Sequence, residues 1–215
     1  MKPRFSFCVY CGSRNGSNPH IIEAAKAVGH WIGEQGGQLV YGGGKSGLMG
    51  LVAQAAKEAG ARVVGVIPTV LVHKEMANEA CDELFVVDTM HQRKAMMAQR
   101  SDAFVALPGG IGTFEELFEI WTWRQLGYHD KPIGILDVDG YYSALQPFLQ
   151  HCIANGLLSD WQMALTSTGS NAQALLGELL QQLQQRPQSH APLNARAGDA
   201  GNTHKQLVTG SDTGR

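Results

Sequence analysis

The residues best placed to do chemistry in this 215-residue chain cluster around two glycine-rich turns. Pro108-Gly109-Gly110-Ile111-Gly112-Thr113 follows the apolar run Ala103 to Leu107. It precedes Phe114 to Leu126, in which Phe114, Leu117, Phe118 and Trp121 recur at i, i+3, i+4 and i+7, the spacing of an amphipathic helix. A strand, a glycine turn and a helix start in that order form an anion site. Unpaired N–H groups and the positive end of the helix dipole face the turn, and glycine lets a phosphate come close to the backbone. Glu116 falls just inside this helix. Thr113-x-x-Glu116 matches a capping box, in which the carboxylate only satisfies an N-terminal amide. Beside a bound phosphate the same carboxylate would be repelled unless a cation or a chemical use holds it there. Both readings of Glu116 stand at this level, and Glu115 reads as a solvated charge.

The other turn, Gly42-Gly43-Gly44-Lys45-Ser46-Gly47, lies between an apolar run and the helical stretch Leu48 to Ala59, with G-x-G-x-x-G spacing. A dinucleotide site would also need an acidic residue about 20 positions on, and Val64 to Pro68 offers none. A Walker loop fails because its earlier glycine would fall at Leu39. We read the turn as ligand-facing; a tight strand-to-helix turn is the plain alternative. Arg93 shares a helical stretch with Met96, Met97 and Arg100 at i+3, i+4 and i+7. Its planar fork can grip a carboxylate or phosphate, although a lone helix arginine ordinarily reads as a solvated charge.

Other signals are set aside. Cys8 and Cys11 form C-x-x-C, but residues three apart on a strand face opposite sides. The eight histidines show no ligand pair on one helix face, so no metal is expected. Met96 and Met97 read as core filler, and Trp121 and Trp123 as packing or subunit interface.

The elements that must position these residues are punctuated clearly. Phe5 to Cys11, Gln38 to Tyr41, Arg62 to Ile67, Glu83 to Val87, Ala103 to Leu107 and Ile133 to Leu136 read as strands. Helical stretches lie between them. Asn18 and Pro19 suit a helix start, Gly36 and Gly37 its close, and Gly60, Gly127 and Gly156 later stops. Strands apolar on both faces, alternating with helices, predict an α/β doubly wound (Rossmann-like) parallel sheet with helices on both faces. Ligands of such sheets bind beyond the carboxyl ends of the strands, where strand order reverses. Residues 1–185 are expected to form this single domain. Residues 186–215, rich in Pro, Gly, Asn, Ser, Thr and Gln, are expected to be a disordered tail.

Composition narrows the function classes. With 44% apolar and 17% charged residues the chain can build a core. Seventeen basic against nineteen acidic residues leave a net charge of −2, without the basic excess that nucleic-acid binding needs. The longest nearly apolar stretch, Val63 to Val72, is broken by Gly65, Pro68 and Thr69 and is too short for a membrane span. Four cysteines, Cys8, Cys11, Cys81 and Cys152, are too few for a disulfide framework, and a cytoplasmic location is expected.

Pro108 to Glu116 resembles the P-G-G-x-G-T-x-x-E motif of the Lonely Guy phosphoribohydrolases. Cys11-Gly12-Ser13, Tyr41-Gly42-Gly43-Gly44, Met90-His91-Gln92-Arg93-Lys94 and Thr122 to Gly127 through Lys131-Pro132 are similar to further blocks of that family, in order. The likeness runs from about Phe5 to Leu183. It implies a metal-free and cofactor-free hydrolase that cleaves the N-glycosidic bond of cytokinin riboside 5′-monophosphates, or of AMP, to free base and ribose 5-phosphate. By the same resemblance Arg93 and Glu116 would be the catalytic pair. Glu75, Lys94, Gly110, Ile111, Gly112, Thr113, Gly43, Gly44 and Ser13 would contact the substrate, and the protein would be a homodimer. Arg14 stands where the family often has serine, and Gln92 where it often has glutamate. Breaking a ribosyl C–N bond builds an oxocarbenium-like cation that a carboxylate can stabilise while it orients water. The alternative class is a non-catalytic nucleotide or molybdenum-cofactor carrier of the same fold; a nicotinamide oxidoreductase ranks third.

Overall fold

The computed structural model of the protein describes residues 2–186. Within them, strand and helix alternate to build one sheet of seven strands, all paired in parallel. The strands are β1 (Ser6–Tyr10), β2 (Gln38–Tyr41), β3 (Arg62–Pro68), β4 (Glu83–Val87), β5 (Ala103–Ala106), β6 (Ile133–Leu136) and β7 (Ser167–Gly169). The helices are α1 (Pro19–Glu34), α2 (Gly47–Glu58), α3 (Met90–Gln99), α4 (Ile111–Gln125), α5 (Leu145–Ala154), α6 (Asp160–Met163) and α7 (Ala172–Gln185). The expected doubly wound class is what the chain adopts. The stretch expected to be a tail, residues 186–215, lies outside the described residues apart from Arg186.

Strand order is β4-β3-β2-β1-β5-β6-β7. The chain winds outward from the centre to β4 and then returns to lay β5 on the other side of β1, in the register Phe7↔Ala103 to Tyr10↔Ala106. Strand order therefore reverses between β1 and β5, and their carboxyl-end loops part there to leave a crevice. Alternation along β1 sends Phe7 and Val9 into a core shared with α1, α2 and α7. Cys8 and Tyr10 go into a second core under α3, α4 and α5. Strand β7, Ser-Thr-Gly, carries no apolar run, and pairing with β6 is what makes it a strand.

Several helix starts follow local chemistry, whereas α2, α4 and α5 begin without a side-chain cap. Asn18 caps α1 by accepting from the His20 N–H at 2.9 Å, and Thr89 and Gln92 form a capping box at the start of α3. Gln92 thus anchors the helix that carries Arg93. Helix α4 starts at Ile111, three residues earlier than expected. Its N-cap is Gly110, without a side-chain cap. The Thr113–Glu116 capping box does not form, because both residues already lie within the helix. Gly60, Gly127 and Gly156 adopt the left-handed conformation expected of helix stops. Among the described residues, no helix is long and apolar enough to cross a membrane.

Candidate active site

The loops after β1 and β5 touch at the strand-order reversal. The Gly12 N–H donates to the Pro108 carbonyl at 3.2 Å. A Cβ on Gly109 would meet Thr113 Oγ1 at 2.1 Å and the Gly12 nitrogen at 2.9 Å, so only glycine allows the loops this close. Beside the contact opens a cleft of about 530 Å³. Its floor is the start of α4. The N–H groups of the first helical turn have no partner within the helix, and nothing lies within 4 Å of where a Cβ would project from Gly110 or Gly112. The turn is braced from behind, since the Tyr141 hydroxyl donates to the Gly109 carbonyl at 2.6 Å and the Tyr142 hydroxyl to that of Leu107 at 2.7 Å.

Arg93 is 5% exposed and held by backbone. Its Nε–H donates to the Val66 carbonyl at 3.2 Å and Nη2 to the Gly42 carbonyl at 3.0 Å. A Cβ on Gly42 would lie 1.9 Å from Nη2, so a glycine there makes room for the guanidinium. Nη2 also lies 3.8 Å from Glu75 Oε2, outside hydrogen-bond reach. That carboxylate oxygen is buried and has no hydrogen-bond partner among the described residues. Burial raises the Glu75 pKa, with Arg93 and then Lys74 opposing. Burial also lifts Glu116 to about 7, against the pull of Arg93 and with repulsion from Glu115 and Glu75. The cleft thus holds two carboxylates and one fixed guanidinium, together with a helix start whose first N–H groups have no partner within the helix.

Of the residues named from the sequence, Ser13, Glu75, Arg93, Gly110, Ile111, Gly112, Thr113 and Glu116 line the cleft together. Lys94, Gly43 and Gly44 do not. Successive helix residues point about 100° apart. Lys94 therefore turns away from the cleft and buries its ammonium between Glu115 and Glu119 of α4, 2.9 Å from the latter. Glu115, expected to be solvated, is half-exposed and paired with it. Gly43 and Gly44 face the 75–78 segment instead of the cleft. The Gly43 carbonyl accepts from the Asn78 N–H at 2.8 Å, and the Lys45 N–H donates to the Glu75 carbonyl at 3.2 Å and to that of Met76 at 2.8 Å. The turn read as ligand-facing thus acts at one remove, placing Glu75 and accommodating Arg93.

Sequence reasoning did not single out Tyr141, or Met49, Leu71 and Met90, which give the cleft an apolar side. Tyr141 follows a short 3₁₀ turn in which Asp139 takes a left-handed φ of 51°; no local pattern links it to Gly109. Cys8 and Cys11 sit in opposite cores, their thiols pushed up by burial. Met97 and Trp121 pack in the core, and the Trp121 indole N–H donates to the Gln162 carbonyl at 2.8 Å. Among the described residues no group of three or more His, Cys, Asp or Glu is placed to hold a metal.

Residues 49–179 match the family model described as possible lysine decarboxylase. Among curated proteins, the chain is 48% identical over 179 residues to cytokinin riboside 5′-monophosphate phosphoribohydrolase LOG7 of Arabidopsis thaliana, covering 83% of this chain and 82% of that one. It is 43% identical over 194 residues to the probable cytokinin riboside 5′-monophosphate phosphoribohydrolase LOGL3 of Oryza sativa subsp. japonica, covering 90% and 92%. Among solved structures, the molybdenum cofactor carrier protein of Chlamydomonas reinhardtii aligns with a TM-score of 0.64 at 22% identity, over 86% of this chain and all of that one. The molybdenum cofactor binding protein of Rippkaea orientalis aligns at 0.63 and 23%, over 85% and 98%. At such identity these structures speak for the fold alone.

Proposed function

We propose, from the premise that this chain belongs to the Lonely Guy family of phosphoribohydrolases, that its cleft hydrolyses the N-glycosidic bond of cytokinin riboside 5′-monophosphates and of AMP. The products are the free base and ribose 5-phosphate. The observation that carries the reading is the juxtaposition of an uncapped helix start with a carboxylate one turn further along the same helix. The 5′-phosphate sits on the N–H groups of residues 110–113 and is held by the dipole of α4. Glu116 then faces C1′, where it stabilises the positive charge that builds as the C–N bond lengthens. It also takes the proton of the attacking water. A base with a pKa of about 7 suits that task at neutral pH. Arg93, fixed by two carbonyls, steadies the ionised form of Glu116. The base lies against Met49, Leu71 and Met90.

The decarboxylase wording of the family model finds no support in the cleft, whose lining among the described residues includes Arg14 and Arg93 but no lysine. A non-catalytic carrier would have no use for a free carboxylate beside the anion seat. The chain acts as a homodimer, paired through the exposed apolar residues Ile111 and Phe118 of α4. Its four cysteines are unpaired, which suits a cytoplasmic enzyme.

The test is to incubate the purified protein with AMP and with isopentenyladenosine monophosphate and to resolve base and ribose 5-phosphate by chromatography. Release of both products is expected, reduced about 10²–10⁴-fold in Glu116→Gln, the range for loss of a general base. Wild-type turnover in that variant would disprove the role of Glu116.

A further inference from the structure

Lys94 is buried behind the cleft without lining it, and the hydrolytic scheme gives it no part. It is 7% exposed, and a buried ammonium is costly unless it is paired. Its partners are on the neighbouring helix. Glu115 and Glu119, four residues apart on one face of α4, both accept from the ammonium, which stands 2.9 Å from Glu119 Oε1. Burial would lower the Lys94 pKa, but these two carboxylates raise it, so the charge is kept. The pairing joins two particular places. Lys94 follows Arg93 on α3, and Glu115 precedes Glu116 on α4. Arg93 is hooked to one side of the strand-order reversal, through the carbonyls of Gly42 after β2 and Val66 in β3, whereas α4 follows β5 on the other side. Met97 of α3 and Leu117 of α4 share the second core, but apolar burial is non-directional. Among the ion pairs of the described residues, those of Lys94 are the ones that tie α3 to α4.

Residues 110–113 and Glu116 belong to the start of one helix and move as a unit, so a phosphate seated on those N–H groups keeps its place relative to Glu116. Arg93 stands outside that unit. Resting on the hydrolase reading above, we infer that Lys94 is a positioning residue, which clamps α3 to α4 and so keeps the Arg93 guanidinium in register with Glu116 and the seated substrate. Loosening the clamp displaces Arg93 without unseating the phosphate, so the effect falls on kcat more than on KM. The clamp also has an electrostatic signature. Burial raises the Glu116 pKa most; Arg93 and Lys94 of α3 pull it down, while Glu115 of its own helix and Glu75 of the segment before β4 push it up. Cys8 and Tyr10 of β1 and Cys11 after it also face Glu116, and burial keeps all three neutral.

Base release from AMP and from isopentenyladenosine monophosphate is measured across pH with wild type, Lys94→Met, Glu115→Gln, Glu119→Gln and the double variant of Lys94→Met with Glu119→Gln. Lys94→Met is expected to lose about 10²-fold in kcat, the cost of a misplacement of about 1 Å, with KM close to that of wild type. Glu119→Gln should lose less in the same direction. The double variant should lose no more than Lys94→Met alone, because both changes break one interaction. The apparent pKa of the pH–rate profile should move up in Lys94→Met and down in Glu115→Gln, opposite shifts that a loss of packing would not produce. A raised KM at unchanged kcat in Lys94→Met, the mark of a substrate contact, would overturn the inference and leave the hydrolase reading intact. Losses that add in the double variant, or a profile that stays in place in Lys94→Met, would do the same. Should Lys94→Met fail to fold by circular dichroism, the two glutamine variants decide, and wild-type kcat in both overturns the inference. A wild type that releases base from neither substrate would instead end the hydrolase reading, and this inference with it.

Discussion

At the scale of single residues, the role proposed for Glu116 ties activity to stability. Its pKa of about 7 in the folded protein compares with about 4.3 for a glutamate in an unfolded chain. Between those values the folded state binds the extra proton, so stability is greatest below about pH 4 and declines as pH rises through 7. On the proposed role of Glu116 activity runs the other way, since the form that would activate water is the carboxylate. Hydrolysis should climb with pH through an apparent pKa near 7 and then level off. Glu116→Gln should melt higher than wild type at pH 8, by on the order of 2 kcal/mol, and the gap should close at pH 4. A pH–rate profile and paired thermal melts check both; a melting gap that persists at pH 4 would contradict the sign. Glu116 was legible in the sequence only as a choice between a cap and a chemical group. Arg93, taken alone, reads as a solvated charge, and only its block resemblance pointed elsewhere. The fold buries it by bringing Val66 and Gly42 to its donors.

At the scale of elements, the carboxyl end of β2 and the start of α3 have to fit each other. Gly42 follows β2 without a left-handed φ, so Gly42→Ala should act by collision and not by backbone strain. The added methyl would sit 1.9 Å from Arg93 Nη2 and force the guanidinium off its carbonyls. A stability loss of about 1–3 kcal/mol is expected from the overpacking, together with a fall in kcat/KM of about 10²-fold. A chemical-denaturation curve and product release, measured on the same sample, test the pair. Retained wild-type activity would show that the Gly42 contact does not place Arg93. The glycine spacing of this turn was visible in the sequence, but its use was not. G-x-G-x-x-G reports a close approach without saying whether a ligand or another part of the chain comes near. Here it is the 75–78 segment and an arginine.

At the scale of the whole molecule, α4 links the anion seat to an exposed apolar face. Ile111 is 82% exposed and Phe118 37%, one on each of two helical turns that face the same way. If this face joins two copies, Phe118→Lys should yield a monomer by light scattering, with the chain still folded by circular dichroism. A variant that keeps the wild-type mass would place the interface elsewhere. Since Ile111 also lines the cleft, monomerisation should raise KM.

Periodicity and turn residues are local properties, and they determined what local rules can: the parallel α/β class, every strand except β7, the helix stops, and the glycine turn before α4. Strand β7 escaped because three small polar residues carry no pattern of their own. The tertiary structure decided which side chains share the cleft. Arg93 meets a carbonyl 51 residues away at Gly42 and another 27 residues away at Val66, a meeting that depends on strand order and on how far α3 is rotated. That rotation turns Arg93 into the cleft and its neighbour Lys94 out of it, because adjacent helix positions differ by about 100°. A sequence motif that names both cannot tell them apart.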